Sequence, residues 1–202
     1  MKNEMVDYHK AMDVKARGNC MIGLDRLLSI YVLLQRASHV EGALAELGIF
    51  KGGVGRFIAR CLPDRKCYLF DTFSGIPCSG EFDHHKIGEW SASRAIVEDV
   101  VRGQGNIVLV EGVFPETVSQ IPEERFAFVH LDADQYESTR DGLEYFWPRM
   151  NAGGVIVLDD YDFQYCPGVT KAVREFTDSM GAVVIYSDNN YITVGHQAHI
   201  LK

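Results

Sequence analysis

The chain contains five short apolar runs separated by helix-like segments, and each run ends at or beside an acidic residue. The runs occupy residues 42–47, 66–70, 106–110, 126–131 and 154–158. Consecutive apolar residues over this length are typical of parallel strands that are buried on both faces. Because strands that alternate with helices form parallel sheets, the pattern predicts a doubly wound α/β fold.

The helices are predicted from apolar residues that recur at three- and four-residue steps. They cover residues 22–34, 54–61, 93–102, 137–146 and 169–179. Beyond them, the apolar segments 183–186 and 191–194 flank a Ser-Asp-Asn-Asn turn, which predicts an antiparallel hairpin. The predicted sheet is therefore mostly parallel and seven-stranded, with a C-terminal antiparallel hairpin.

The size and composition of the chain favour one domain. Its 202 residues are 47% hydrophobic, which is enough for a substantial core. Without a linker or an internal repeat, we expect a single domain over residues 1–202. Within it, residues 1–40 form an N-terminal helical segment or lid, and residues 41–202 form a Rossmann-like core.

Charge and cysteine content narrow the class of partner. A formal net charge of −8, with scattered basic residues, argues against a nucleic-acid partner. The five cysteines are an odd number without CxxC spacing, which favours neither a disulfide framework nor a zinc site. The polar N-terminus and the lack of a membrane-spanning apolar run predict a cytoplasmic protein without a membrane partner.

The acids at the strand ends are expected to share one edge of the sheet. In an open parallel sheet, ligands bind beyond the carboxyl ends of the strands, where the strand order reverses. Acids that converge there repel one another unless a cation or hydrogen-bond donors compensate them. The acids in question are Glu46, Asp71, Glu111, Asp132, Asp159 and Asp160.

The turn after the first strand, Glu-Leu-Gly-Ile-Phe-Lys-Gly-Gly over residues 46–53, has glycines that admit a ligand close to the backbone. It lacks the GxGxxG pattern of dinucleotide folds, which argues against NAD and FAD. Asp71 lies 25 residues after Glu46, at the end of the second strand, where its carboxylate can accept hydrogen bonds from two ribose hydroxyls. An ordinary tight turn is the plainer alternative.

Two pairs of aspartates point to a metal. Asp132 and Asp134 follow the fourth strand, and Asp159 and Asp160 follow the fifth. Hard divalent cations such as Mg²⁺ or Mn²⁺ prefer carboxylate oxygens. Adjacent residues of a strand face opposite sides, so Asp159 and Asp160 can share an ion only if the strand turns between them. Helix caps and turn acids explain any one of these residues alone.

A long irregular segment, residues 72–90, has the length of a functional loop. Its histidines, His84 and His85, are expected to be solvated, although acid–base or substrate roles stay open. His130 is expected to be a hydrogen-bonded core residue. Trp90 and Tyr161 are candidate walls of an acceptor pocket, or plain packing residues.

At these residues the sequence resembles the macrocin O-methyltransferase family, whose members methylate sugar hydroxyls of macrolides and related natural products. The resemblance extends from residue 20 to about residue 176. It is carried by CMIGL (20–24), ELGIFKGG (46–53), DTFSGIP (71–77), GEWS (88–91), LDADQYEST (131–139) and GGVIVLDDY (153–161).

The resemblance implies a class I methyltransferase that uses S-adenosylmethionine and a small hydroxylated acceptor, such as a sugar. It implies Mg²⁺ held by Asp132, Asp159 and Asp160, with Asp134 as the base. The implied contacts of the methyl donor are Glu46 and Gly48 for its methionine part, Asp71 and Thr72 for its ribose, Glu111, Gly112 and Val113 for its adenine, and Asp132. The resemblance does not fix the oligomeric state, and a homo-oligomer stays open.

Three positions depart from the family pattern. Ala133 stands where members often have glycine, Gln135 where they have leucine, and Val113 where they have an aromatic residue. These departures bear on the acceptor and on adenine packing more than on the chemistry.

Other functions compete with this one. A catechol methyltransferase has a similar acid trio, but usually with asparagine as the second residue of the last pair, so Asp160 favours the sugar branch. A glycosyltransferase would use Asp132-Ala133-Asp134 as a DxD motif for Mn²⁺ and a nucleotide sugar, which leaves the 46–53 turn and Asp71 without roles. A binding module of the same fold without catalytic activity is a third possibility.

Overall fold

The computed structural model describes residues 19–186 and 197–202, which form an α/β fold with a seven-stranded sheet. The strands are β1 (Ala43–Leu47), β2 (Cys67–Asp71), β3 (Ile107–Glu111), β4 (Phe126–Leu131), β5 (Met150–Leu158), β6 (Val184–Tyr186) and β7 (Ala198–Leu201). Their order across the sheet is β3-β2-β1-β4-β5-β7-β6. Strands β1 to β5 run parallel, and β7 is antiparallel to both β5 and β6. The predicted fold class is therefore confirmed.

Five α-helices accompany the sheet in the described ranges: α1 (Leu24–Ala37), α2 (Gly53–Cys61), α3 (Arg94–Val101), α4 (Tyr136–Phe146) and α5 (Pro167–Met180). Two short 3-10 helices cover Glu116–Gln120 and Trp147–Arg149. Each predicted helix is present, with ends that differ by at most three residues. None of these helices has the length and apolar character needed to cross a membrane.

The apolar core lies on both faces of the sheet. All five residues of β1 are buried, with Leu44 in the cluster on the α1 and α2 side and Ala45 in the cluster on the α4 and α5 side. Side chains of a strand alternate between faces, so a strand buried on both sides is apolar at every position. Helix α1 contributes buried residues at three- and four-residue steps: Leu27, Ile30, Leu34 and Ala37.

Two predicted boundaries need correction. Strand β5 begins at Met150 rather than at residue 154, because Gly153 and Gly154 lie in a bulge inside the strand instead of before it. Gly153 has a φ of +87° there, and the pairing register with β4 shifts between Phe126 and Phe128. The strand paired with β6 is Ala198–Leu201. The predicted turn at 187–190 and strand at 191–194 lie outside the described residues, as do residues 1–18 of the expected N-terminal segment.

The strand order places a ligand-binding edge at the centre of the sheet. β1 is flanked by β2 on one side and by β4 on the other, so the order reverses at β1. Crevices of open α/β sheets form outside the carboxyl ends of the strands at such a point. The acids that follow β4 and β5 therefore lie beside the glycine turn that follows β1.

Candidate active site

A pocket of about 430 Å³ opens at the carboxyl edge of the sheet. Its walls come from the glycine turn after β1, the ends of β2, β4 and β5, the start of α1 and the loop 72–90. The strand-end motifs predicted from the sequence thus all line one cavity, except for Glu46 of β1 and Glu111 of β3.

The glycine turn is held in place by Asp71. Its Oδ2 atom accepts hydrogen bonds from the backbone N–H groups of Ile49 (2.8 Å) and Phe50 (3.2 Å), and its Oδ1 atom accepts one from Phe73 (2.8 Å). Burial raises the pKa of Asp71, and these backbone hydrogen bonds oppose that rise. The carboxylate therefore fixes the turn and keeps lone pairs for a ligand.

Gly48 is where the turn passes closest to the end of β4. Its φ is +82°, and a Cβ atom there would lie 2.0 Å from the carbonyl oxygen of Asp132. Both the left-handed conformation and the close approach require glycine.

Four aspartates converge on the far side of the pocket. Carboxylate oxygens of Asp132, Asp134 and Asp160 lie within 4.8 Å of one another. Asp159 groups instead with Asp132 and a ring nitrogen of His130, again within 4.8 Å. The turn that this convergence needs is present, because β5 ends at Leu158 and Asp160 adopts a left-handed φ of 56°. Asp134 has the same kind of backbone, with a φ of 59°.

These acids strongly affect one another. Burial, followed by the charges of Asp159, Asp160 and Asp134, raises the pKa of Asp132 well above its ordinary value. Burial and Asp160 do the same to the pKa of Asp134. Like charges brought together away from water are stable only when protonated or compensated by a cation. The cluster thus has the oxygen ligands and the excess of acidic groups that suit a hard divalent ion.

Arg26 is a site residue that sequence reasoning missed. Its Nη1 atom donates to Asp159 Oδ2 at 2.5 Å and lies 3.4 Å from Asp160 Oδ1. Gln197 donates to the other oxygen of Asp159 at 2.9 Å. The available signal was the position of Arg26 in the first turn of α1, where the helix dipole disfavours a cation unless an acid compensates it.

Glu46 and His130 form a buried pair on the side of the sheet that α2 covers. Glu46 Oε1 and His130 Nδ1 are 2.9 Å apart, and neither residue lines the pocket. Gly55 packs directly on this pair, since a Cβ there would lie 2.6 Å from Glu46 Oε2. His130 is the hydrogen-bonded core histidine that the sequence predicted.

The loop 72–90 is pinned across the pocket by several contacts. Ile76 and residues 88–89 exchange backbone hydrogen bonds of 3.0 and 2.9 Å, and Asp83 accepts from the Tyr136 N–H at 2.8 Å. The buried amide of Gln135 donates to the carbonyl oxygen of Cys78. Gln135, one of the departures from the family pattern, thus anchors the loop.

Residues 2–185 of the chain match the sequence profile of the macrocin-O-methyltransferase (TylF) family. The chain belongs to this family. It is an O-methyltransferase by this membership and by the names of its relatives.

Curated relatives include the demethyldecarbamoylnovobiocin O-methyltransferase of Streptomyces niveus. It is 29% identical over 188 residues, which cover 83% of this chain and 71% of the relative. The 8-demethyl-8-(2,3-dimethoxy-alpha-L-rhamnosyl)-tetracenomycin-C 4'-O-methyltransferase of Streptomyces olivaceus is 30% identical over 181 residues, which cover 80% and 68%.

Solved structures show the same fold. The O-methyltransferase NovP matches with a TM-score of 0.77 and 26% identity, covering 91% of this chain and 82% of that one. The calicheamicin methyltransferase CalS11 matches with a TM-score of 0.73 and 22% identity, covering 96% and 91%. The seven-stranded sheet is thus the class I methyltransferase sheet expected from the resemblance.

In this macrocin O-methyltransferase family member, the pocket brings together most of the residues singled out from sequence. Those that line it are Gly48, Asp71, Thr72, Gly112, Asp132, Asp134, Asp159 and Asp160. Glu46, Glu111 and Val113 do not line it. The Glu111 carboxylate pairs with Arg94 at 3.0 Å, and Val113 is 43% exposed, while the next residue, Phe114, lines the pocket.

The two loop histidines differ in environment. His84 is exposed, as predicted, but His85 is partly buried and lines the pocket, so the prediction of a solvated side chain was wrong for His85. Trp90 also lines the pocket, whereas Tyr161 packs against the α4 and α5 side of the core. The loop folds His85 and Trp90 inward because its ends are tied together at Ile76 and Glu89.

Proposed function

We propose that this protein transfers the methyl group of S-adenosylmethionine to a sugar hydroxyl of a natural product, with the help of Mg²⁺ or Mn²⁺. The observation that carries the proposal is the single pocket that joins the Asp71-bound glycine turn to four clustered aspartates. The named activities of the relatives support it, since one acts on a rhamnosylated tetracenomycin and another on a novobiocin precursor.

The methyl donor would bind along the ends of β1, β2 and β3. Gly48 would let the donor approach the backbone, and Gly112 would lie beside the adenine. Asp71 and Thr72 would accept hydrogen bonds from the ribose hydroxyls and so orient the ribose. We assign the aromatic wall for the adenine to Phe114, which stacks on Phe146 at a ring distance of 5.5 Å. The negative potential of the aspartates favours a ligand that carries a sulfonium charge.

Asp132, Asp159 and Asp160 would hold the divalent cation. Asp132 and Asp160 belong to one group of clustered oxygens, and Asp159 shares a second group with Asp132. Burial contributes most to the raised pKa of Asp132 and Asp160. A bound Mg²⁺ would supply Lewis-acid stabilisation of negative charge on the acceptor oxygen. Arg26, which also lines the pocket, and Gln197 hold the Asp159 side chain in a fixed orientation. Outer partners of this kind orient metal ligands and tune the metal site.

Asp134 would accept the proton of the acceptor hydroxyl on its carboxylate. It lines the pocket from a left-handed backbone position, which turns it away from the strand and toward the cavity. Burial and Asp160 raise its pKa, which makes its carboxylate a stronger base than an ordinary aspartate. The pinned loop places Trp90 over the same cavity, where it would exclude water.

The test is methyl transfer from labelled S-adenosylmethionine to a panel of vicinal-diol sugars, glycosylated aromatics and simple catechols. We expect transfer to at least one glycosylated acceptor, loss of turnover with EDTA, and recovery with Mg²⁺ or Mn²⁺. Turnover of catechols alone would favour the catechol branch. Full turnover in EDTA would contradict the metal requirement.

A thermal-shift experiment separates this function from the glycosyltransferase alternative. A ligand that binds only the folded state raises the melting temperature. We expect stabilisation by S-adenosylhomocysteine and none by UDP-sugars with Mn²⁺. The reverse result would contradict the proposal.

A further inference from the structure

A second group of potential ligands lies on the loop side of the pocket; it shares Asp134 with the aspartate cluster and adds a nitrogen and a sulfur ligand. His85 Nε2 is 3.7 Å from Cys166 Sγ, and Cys166 Sγ is 3.8 Å from Asp134 Oδ1. One ligand atom from each of the three residues lies within 4.8 Å of the others. Nitrogen, sulfur and oxygen thus face a common centre.

These separations suit a tetrahedral zinc ion. Zinc binds sulfur at about 2.3 Å, and binds nitrogen and carboxylate oxygen at about 2.0–2.2 Å. At tetrahedral angles, these bond lengths put neighbouring ligand atoms roughly 3.4–3.6 Å apart. The two observed distances to sulfur, 3.7 and 3.8 Å, need only a small contraction, and the His85–Asp134 separation, which is within 4.8 Å, must also close to this range. The fourth position would face the pocket, where water or an acceptor atom can enter.

The orientation of His85 is the second, independent observation. Its Nδ1 atom lies 3.1 Å from Glu89 Oε2 and 3.3 Å from the indole nitrogen of Trp90. The indole N–H of Trp90 can only donate, so the two contacts favour different tautomers; in the tautomer that the charged acceptor favours, Nδ1 carries the proton and donates to Glu89. Nε2 then presents its lone pair to Cys166 and Asp134. A carboxylate behind a histidine in this way is the usual outer partner of a zinc-bound imidazole.

All three ligands are fixed by the fold. Cys166 is the N-cap residue of α5 and is 1% exposed, so its sulfur has no room for a large reactant but can contact an ion. Asp134 is held by the left-handed turn after β4. His85 lies in the loop that Asp83 and Gln135 anchor.

We propose that His85, Cys166 and Asp134 form a binding site for a thiophilic divalent cation of the zinc type, separate in ligand set from the oxygen site of Asp132, Asp159 and Asp160. Occupation of this site engages the carboxylate of Asp134. Where Asp134 acts as the base, which rests on the proposed function, zinc bound here inhibits methyl transfer.

Cobalt is the direct probe of the thiolate ligand. Co²⁺ replaces Zn²⁺ in tetrahedral sites, and a cobalt–thiolate bond adds a charge-transfer absorption in the near ultraviolet that oxygen ligands do not give. We expect this band in the wild-type protein in excess Mg²⁺, and its loss in Cys166→Ser. Serine is close in size to cysteine and is a favoured N-cap, so the variant should fold. Cys61→Ser, which removes a partly buried thiol from α2, should keep the band.

Zinc calorimetry in excess Mg²⁺ gives the affinity. We expect about one Zn²⁺ per chain in the wild type, with affinity reduced about 10-fold or more in Cys166→Ser and in His85→Gln. Glu89→Gln should weaken binding by about 10- to 100-fold without removing a direct ligand. Unchanged affinity in Cys166→Ser, or complete displacement of zinc by Mg²⁺, would overturn the site and place zinc on the aspartates alone.

The inhibition is tested separately. Micromolar Zn²⁺ should slow methyl transfer by the wild-type enzyme and have a much weaker effect on Cys166→Ser, when the rate of each protein is compared with its own rate in Mg²⁺ alone. Equal inhibition of the two proteins would contradict the inhibitory role. The cobalt and calorimetric measurements need no acceptor, so a failure of the proposed function leaves them interpretable.

Discussion

The strand-end acids on the outer and inner strands have the same sequence pattern but different environments. On β2, Asp71 is satisfied by three backbone N–H groups, and on β3, Glu111 pairs with Arg94 at the exposed surface. After β4 and β5, the corresponding acids lie close to one another, and Arg26 donates a hydrogen bond to one of them, Asp159. An acid at a strand end is therefore bonded to backbone donors, paired at the surface or clustered with other acids, according to what the adjacent strand ends supply.

The first and fourth strands add a further contrast. Glu46 is the residue before the last one of β1, and the alternation of side chains along the strand places it on the face of the sheet where His130 lies. Asp132 follows the last residue of β4 and is free to turn into the pocket. We expect substitutions of the buried, paired Glu46 to affect mainly stability, and substitutions of the aspartates in the pocket to affect mainly catalysis.

The largest effect is expected at Asp134. Asp134→Asn removes the proton acceptor but keeps the size of the side chain and its tolerance of left-handed backbone, so turnover should fall by about 10²- to 10⁴-fold. Turnover is measured with labelled methyl donor, and S-adenosylhomocysteine affinity by calorimetry should stay near the wild-type value. Asp162→Asn is the matched control, because Asp162 is exposed and also left-handed, with a φ of 61°. Similar losses in both variants would point to backbone strain instead of base catalysis.

The next effect concerns stability at the buried pair. Glu46→Ala leaves His130 without its partner in the core, which should lower the free energy of unfolding by roughly 3 kcal/mol in urea titrations. Glu46→Gln keeps an acceptor for His130 and should lose much less. Both should bind S-adenosylhomocysteine with nearly wild-type affinity when folded. A loss of affinity for S-adenosylhomocysteine at unchanged stability would instead indicate that Glu46 contacts the methyl donor.

Much of this arrangement could be predicted from local sequence patterns, and the parts that could not depend on long-range packing. Runs of consecutive apolar residues predicted all five parallel strands, and the acids at their ends predicted the ligand-binding edge of the sheet. Arg26 could not be placed, because its partner Asp159 is 133 residues away and only the packing of α1 against the sheet brings them together. His85 was missed for a similar reason, since its inward position depends on contacts of the loop with Gln135 and Asp83.

Asp71 should have an intermediate effect on binding. In Asp71→Asn, one carboxylate oxygen becomes an NH₂ group that faces backbone N–H donors, so the glycine turn loosens and a ribose acceptor is lost. Hydrogen bonds to a charged group contribute about 1.5–3 kcal/mol, so S-adenosylhomocysteine affinity should fall about 10- to 100-fold in calorimetry. Glu111→Gln is the control on the neighbouring strand and should bind normally. Equal losses would mean that the β3 end contacts the donor as closely as the β2 end does.

The smallest effect is a pH dependence of stability at Asp132. Burial and the neighbouring aspartates raise the pKa of Asp132 in the folded protein. The folded state therefore holds this proton to higher pH than the unfolded state does, and the contribution to stability is lost as pH rises through the raised pKa. Without divalent cations, Asp132→Asn should match the wild type in acid and become the more stable protein as pH rises. The difference should grow as pH rises from the unfolded pKa toward the folded pKa and level off above it.

The measurement is urea unfolding of both proteins in EDTA across this pH range, repeated in excess Mg²⁺. A bound cation compensates the carboxylates, so Mg²⁺ should stabilise the wild type increasingly toward high pH and leave Asp132→Asn less affected. Equal responses of the two proteins to Mg²⁺ at every pH would show that Arg26 alone already balances these charges. The negative charges at the ends of β4 and β5 would then be compensated as fully as those at the ends of β2 and β3.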